Sequence, residues 1–421
     1  MHRRRVAVVG GGVAGLTAAY VLRKACDVVL YEADGRLGGH AHTHDLPAAG
    51  GGTVAVDSGF IVHNERTYPT LLRLFAELGV ATQDCEMSMS VRCDGCGLEY
   101  AGARGPAGLF AGRGAWRGRY LRLLAEVPSF HRRARRLLAD TRPEPYTLGR
   151  FLADNRFSPY FTSHFVTPLV SAVWSCPAQV ALHYPAAYLF RFLDHHGLLS
   201  VTGSPQWRTV TGGSAAYVAR IAEHVGSVRT STPVASVHRT RARAWITTED
   251  GATDPYDAVV IATHPDQALR LLADPTPQEQ VTLGAFRYTR NPTVLHTDTA
   301  LLPTSPRAQA SWNYYLPSCG EPGQSVQVSY DMNRLQQLPS TAAARYVVTL
   351  NAGERVDPDR VVARMVYEHP VHTPRSVAAQ QVLPTLNTTV TAYAGAYHGW
   401  GFHEDGCRSG VQAAAALGVV W

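Results

Sequence analysis

Residues 6–15 read VAVVGGGVAG, and Glu32 follows 17 residues after the last of those glycines, in LYEADGRLGG. An apolar run, glycines in GxGxxG spacing, an apolar helical stretch and a second apolar run ending in an acid make a βαβ unit within about 30 residues. Each position has a physical task in such a unit. Gly10 permits the tight turn and Gly12 lets the backbone approach a pyrophosphate. Gly15 lets the helix, opened by Val13 and Ala14, pack against the strand. The helix N-terminus then faces the phosphates with its free N–H groups. Glu32, with Ala33 beside it, closes the second strand, where a carboxylate accepts hydrogen bonds from ribose hydroxyls. The stretch predicts a dinucleotide site.

The fold class is therefore α/β, with a Rossmann-like domain. At 421 residues the chain is too long for one simple core, so a second domain is expected. Nucleotide-type patterns recur in the middle (TVTGGSAAYVARIAEHV, then DAVVIATHP) and at the end (VTAYAG through GVQAAAALG). They predict a discontinuous domain built from 1–80, 205–275 and 375–421. The mainly helical 81–204 and the β-rich 276–374 would form an inserted α+β substrate domain. PTLLRLFAELGV at 69–80 predicts an amphipathic helix that stops at Gly79.

No uninterrupted apolar stretch approaches the roughly 18–20 residues of a membrane span, and VAVV is too short for a signal sequence. With seven cysteines irregularly spaced, reduced thiols and a cytoplasmic location are expected. Cys93 and Cys96 form one CxxC without a second pair, which reads as a polar hairpin turn with two reduced thiols and no metal. His40, His42 and His44 raise a metal reading too; the alternative is His40 beside the phosphates and the other two in a polar loop. Nine arginines lie from Arg113 to Arg142 against Glu126 and Asp140, with apolar residues at helical spacing. That segment suits a solvated helix over a core, or a helix resting on anionic lipid as a peripheral membrane contact. Pro128 threatens to split it. No nucleic-acid motif accompanies the charge, so nucleic acid is not expected as a partner.

The words after Glu32 narrow the cofactor. Arg36, Gly38 and Gly39 in ADGRLGGHAHT resemble the second glycine motif of the flavin amine oxidase superfamily, and EDGCRSGVQAA resembles its last FAD contact. Phrases such as VDSGFIVHNERTYPTLLRLFAELGV, WRTVTGGSAAYV and AYHGWGFHEDG resemble, within that superfamily, a bacterial family of predicted NAD/FAD-binding proteins. The resemblance implies FAD as a resident cofactor. It implies a Gly406 N–H, preceded by Glu404 and Asp405, at the N1/O2 edge of the isoalloxazine, with Gly59 and Phe60 passing along the ring system. His40 and Val234 are carried over as further cofactor contacts. It also implies chemistry on alkyl or acyl chains, with a small-molecule or acyl-chain substrate.

Two departures from the amine oxidases matter. Lys24, in the first helix, is the chain's only lysine, so the lysine those enzymes hold near flavin N5 has no counterpart. No cysteine falls between Cys319 and Cys407, where some of them tether the flavin, so the FAD is expected to be non-covalent. Tyr393, Tyr397, His398 and Trp400 precede the Gly406 contact and are the expected pocket residues, with His398 the acid–base candidate. Trp312, Asn313 and Tyr314 are expected on the substrate side, Asn64, Glu65 and Arg66 as a polar knot, and His296 and His369 as structural. The expected reaction is desaturation of an alkyl or fatty-acyl substrate with hydride passed to flavin N5. A redox-neutral double-bond isomerase and a non-catalytic flavoprotein partner of a lipid-modifying enzyme stand as alternatives, and amine oxidation ranks behind them.

Overall fold

The computed structural model describes residues 3–140, 146–200, 203–319 and 326–421; Arg142 lies outside them. Strand β1 (Arg4–Val9), helix α1 (Val13–Leu22) and strand β2 (Cys26–Tyr31) form the opening unit. β1 pairs in parallel with β2 on one side and with Ala258–Ile261 on the other. The sheet is completed by Ser227–Arg229 beyond β2 and Thr391–Tyr393 beyond Ala258–Ile261, all parallel. One sheet thus draws strands from three distant parts of the chain. Both of its faces are covered, which is why Val6, Ala7 and Val8 run apolar without alternation and are fully buried. All ten residues of α1 are buried, because the sheet packs on one side and the last helix, His403–Ala416, on the other. The two helices touch at Gly410, where a Cβ would come within 2.4 Å of the Ala14 carbonyl oxygen.

A second sheet of seven strands lies beside the first. Its order is Val361–Val371, Arg287–His296, Val347–Leu350, Val328–Asp331, Trp312–Leu316, Met89–Cys93 and Leu98–Gly102. It joins residues from both predicted insertions, since Met89–Cys93 pairs in parallel with Trp312–Leu316. Helix α2 (Pro69–Leu78) buries Leu71, Leu74, Phe75 and Leu78 and ends at Gly79 in the left-handed region, φ 63°.

The arginine-rich segment is one helix, Gly118–Ala139, and Pro128 does not split it. Its apolar stripe covers the protein's own core. Phe130 meets Phe151, Phe157, Phe161 and Phe190 at ring-centroid distances of 5.6–6.0 Å. Arg119, Arg122, Arg132, Arg135 and Arg136 stay outside. Trp116 and Leu121 remain 72% and 46% exposed beside them. Among the described residues no helix is long and apolar enough to cross a membrane.

Candidate functional site

A single cavity of about 1410 Å³ runs from Glu32 and Gly38 in the parallel-sheet half to Leu124 and Trp312 in the other half. At its first end the glycines do what their spacing requires. Gly10 sits at φ +107°, and a Cβ on Gly15 would lie 1.9 Å from the Gly10 carbonyl oxygen. A Cβ on Gly12 would meet no protein atom within 4 Å. Gly12 caps α1 without a side-chain hydrogen bond, so the helix N-terminus, with Val13 and Ala14, opens straight into the cavity. Free N–H groups at a helix start, with no side chain in front of them, suit a pyrophosphate. Glu32 is oriented by the N–H groups of Gly11 (2.7 Å) and Asp34 (2.9 Å), which leaves carboxylate lone pairs for ribose hydroxyls. Arg36 donates to the Gly39 carbonyl at 2.7 Å, and Gly38 N–H to the Gly11 carbonyl at 2.8 Å, folding the second glycine motif against the first. Ala33, His40, Gly59, Phe60 and Val234 line the same cavity. The donor set fits FAD, and no cysteine lines the cavity among the described residues.

The C-terminal loop differs from expectation. Of the four pocket candidates there, only Tyr397 lines the cavity. Its hydroxyl is buried without a hydrogen-bond partner, and burial pushes its pKa up. Tyr393 is off the cavity, and its hydroxyl donates to Glu279 (2.5 Å) within the Arg239–Glu279 ion pair. His398 is off the cavity on a short helical turn, its pKa lowered by burial to about 4. Trp400 packs among Tyr188, Phe192 and His195 and offers its carbonyl to Trp174.

The predicted FAD contact, Gly406 with Glu404 and Asp405, does not line the cavity. Gly406 N–H is bonded to the Phe402 carbonyl (3.0 Å), and a Cβ on Gly406 would strike Val13 at 2.6 Å. Glu404 instead caps α2, accepting from Thr70 N–H (3.1 Å) and Leu71 N–H (2.9 Å). Asp405 accepts from Phe402 N–H and pairs with Arg408, while burial raises its pKa to about 6. None of these three residues lines the cavity, whereas Phe402 and His403 do. His403 stacks on Phe60 with ring centroids 3.6 Å apart.

Three imidazoles line the middle of the cavity, of which only His40 was expected at the site. His369, expected as structural, lines it; Asn291 donates to its Nδ1 at 3.0 Å, and burial takes its pKa to about 4. His40 lies edge-on to His369 at 5.4 Å and is pushed well below the ordinary range, by burial first. His264 lies 3.3 Å from Glu368 and stacks on Tyr288. Burial favours the neutral form of all three imidazoles, which sit at the centre beside the Glu368 carboxylate. Alternation along Val361–Val371 puts Tyr367 and His369 on one face, a signal that the sequence YEHP carries. His296 is buried and bonded to Thr349, a structural position. Trp312 lines the cavity, while Asn313 and Tyr314 are buried beside it. Asn64 accepts from Arg66 N–H and Thr67 N–H, a polar turn leading into α2. His42 and His44 bond Tyr367 and Ser58. The Cys93–Cys96 hairpin is present, but its thiols are buried and not solvated.

The family described as flavin containing amine oxidoreductase matches residues 13–418. No curated protein sequence matches the chain significantly. Among solved structures, the CLA-producing fatty acid isomerase of P. acnes is similar with a TM-score of 0.68, 15% identity and 97% of each chain covered. Cyclohexylamine oxidase from Brevibacterium oxydans IH-35A is similar with a TM-score of 0.68 and 17% identity, over 99% of this chain and 98% of that one. Wild-type putrescine oxidase bound to putrescine is similar with a TM-score of 0.65 and 16% identity, over 99% of both chains.

Proposed function

The chain belongs to the flavin-containing amine oxidoreductase family with FAD as its cofactor, and from that premise we propose that it desaturates an alkyl or fatty-acyl chain. Bound at the α1 end of the cavity, FAD supplies a two-electron acceptor. The observation that carries the reading is the lining of the far end: Leu124, Val127, Phe165, Leu169, Val173 and Leu350, none of them charged, while the one carboxylate of that half on the cavity, Glu368, lies beside His264 at its middle. A protonated amine would be desolvated there without a counter-charge, at a cost of several kcal/mol. A neutral hydrocarbon chain gains about 0.8 kcal/mol for each CH₂ it buries. Lys24 is exposed beyond the end of α1 and takes no part.

Removing hydrogen from such a chain is a matter of holding one carbon still and keeping water out. Phe165, Leu169 and Trp312 would fix the chain, while Tyr397 Oη and His369 could hold or pass a proton at the centre. The cavity's helical end reaches Pro128, His131 and Ser200, which it shares with a smaller recess lined by Arg132 and Arg135. Those guanidiniums suit the carboxylate or phosphate end of a lipid, and exposed Trp116 and Leu121 suit contact with the membrane that supplies it. A redox-neutral isomerase is the second reading, favoured by the likeness to the fatty acid isomerase and by the same apolar lining.

Leu124→Trp and Val127→Trp test the assignment of the cavity. Both should retain FAD and turn over short chains while losing activity on long ones. Equal loss on both, or none, would remove the acyl chain from this space.

A further inference from the structure

We propose that Cys93, Cys96, His164 and Cys319 form a structural zinc site that clamps one wall of the substrate cavity. Their four ligand atoms all lie within 4.8 Å of one another, and among the described residues no other group of three or more such side chains converges this way. Cys93 Sγ lies 3.6 Å from Cys319 Sγ, and Cys96 Sγ lies 3.8 Å from His164 Nε2. Zinc bonds of about 2.3 Å to sulfur and about 2.0 Å to nitrogen place tetrahedral ligand edges at roughly 3.5–3.8 Å. Those two pairs are already at that spacing. Three thiols and an imidazole with no open position make a closed, structural ligand set.

The surroundings are built for it. His164 Nδ1 lies 3.2 Å from the Tyr160 carbonyl and 2.7 Å from Ser163 Oγ, so a proton on Nδ1 leaves the Nε2 lone pair aimed at the thiols. Tyr160 stacks on the imidazole with centroids 3.9 Å apart and brings its hydroxyl to 3.4 Å from Cys96 Sγ. Its O–H can donate to a metal-bound thiolate. Arg119 lies over the Tyr160 ring at 4.9 Å, where it offsets the net negative charge of three thiolates on one zinc ion.

The CDGCG turn also has the backbone the site needs. Gly95 presses so close to Ser318 and Cys319 that a Cβ would lie 2.9 Å from their backbone atoms, and Gly97 takes φ +67° directly after Cys96. The cluster ties the 89–102 hairpin to the end of Trp312–Leu316 and to the turn Thr162–Val166. Phe165, next to His164, lines the cavity, and so does Tyr100, whose hydroxyl donates to the His164 carbonyl at 2.7 Å. Binding releases one proton per thiol and leaves all oxidation states unchanged.

Elemental analysis of the full-length protein, purified under reducing conditions without chelators, should give about one zinc per chain. Cys96→Ala and His164→Ala should lose most of it, while Cys85→Ala, at a buried thiol outside the cluster, should keep it. If the variants fail to fold, the wild type decides. Its zinc should be displaced by a mercurial, and Co²⁺ added to the reduced, metal-free chain should give thiolate-to-cobalt charge-transfer absorption. A reduced wild type that binds neither Zn²⁺ nor Co²⁺, zinc retained in both variants, iron in place of zinc, or a Cys93–Cys319 disulfide in non-reduced peptide maps would each overturn the proposal.

Discussion

Gly12→Val should separate binding of the cofactor from folding of the protein. Gly12 has φ −75° and ψ 178°, backbone that any residue adopts, and a Cβ there would touch no protein atom within 4 Å. The fold therefore has no reason to reject a valine. The isopropyl group would instead stand in front of the α1 N-terminus, where the phosphates must approach. Losing two charge-assisted hydrogen bonds of about 1.5–3 kcal/mol each removes about 3–6 kcal/mol of binding. At 1.4 kcal/mol per decade, FAD affinity should fall by roughly 10²- to 10⁴-fold. Gly15→Ala is the contrast, because its Cβ would sit 1.9 Å from the Gly10 carbonyl oxygen and the βαβ unit itself must distort. Flavin content, fluorescence titration of the apoprotein with FAD, and thermal unfolding of both apoproteins give the comparison. The expected result is a soluble, colourless Gly12→Val protein with an apoprotein Tm near that of wild type, and a misfolded Gly15→Ala protein. A yellow Gly12→Val protein with full FAD content would refute the reasoning.

Glu404→Ala leaves two N–H groups of α2 unpaired and should destabilise the protein by about 2–4 kcal/mol in urea unfolding; a loss of flavin with unchanged stability would return Glu404 to the cofactor. His398→Asn should change turnover less than twofold, whereas His369→Asn should lower it by at least tenfold if the proton is held there; the reverse order would restore His398 as the acid–base residue. Acid should destabilise the fold through buried neutral histidines. Burial holds His63, His196, His369 and His372 at about 4, so the unfolded chain binds their protons first and stability falls as pH drops from about 6.5 towards 4. Asp57 and Asp405, raised to about 6 by burial, oppose this over the same range because the native state holds their protons more tightly. Urea midpoints measured from pH 8 to 4.5 should fall, and a flat or rising profile would show that these histidines are not buried uncharged. Co-sedimentation with anionic liposomes should rise with anionic lipid, fall with salt, and weaken when Arg132 and Arg135 become Gln; wild type that ignores such liposomes at low salt would leave a soluble substrate.

The nucleotide end was legible because its constraints are local. Gly10, Gly12, Gly15 and Glu32 act through backbone geometry within one βαβ unit, and Arg36, Gly38 and Gly39 fold straight back on it. The C-terminal loop was not legible in this way. Gly395, Gly399 and Gly401 break any period between Tyr393 and Phe402, so proximity in sequence said nothing about which side chains face the cavity. Tyr393 ends a strand of the parallel sheet and bonds Glu279 away from the cavity; Tyr397, four residues on in the same apolar cluster, lines it. Long-range pairing hid the rest. Cys93 meets Cys319 only because two strands 223 residues apart run in parallel register, Ser90 beside Asn313. His164 joins them from a π-helical turn between Pro159–Phe161 and Thr167–Trp174, whose wider period breaks the usual helical spacing. The arginine-rich helix was readable as a helix, but whether its apolar stripe met lipid or core depended on phenylalanines elsewhere in the chain.

Anaerobic mixing of the FAD-loaded enzyme with fatty acids, phospholipids and simple amines tests the central claim most directly, with flavin absorbance followed and products weighed by mass spectrometry. The account predicts lasting flavin bleaching by an acyl or alkyl chain, with a product lighter by two hydrogens formed in step with the bleaching, and no response to amines. Bleaching by amines with every chain inert would contradict it.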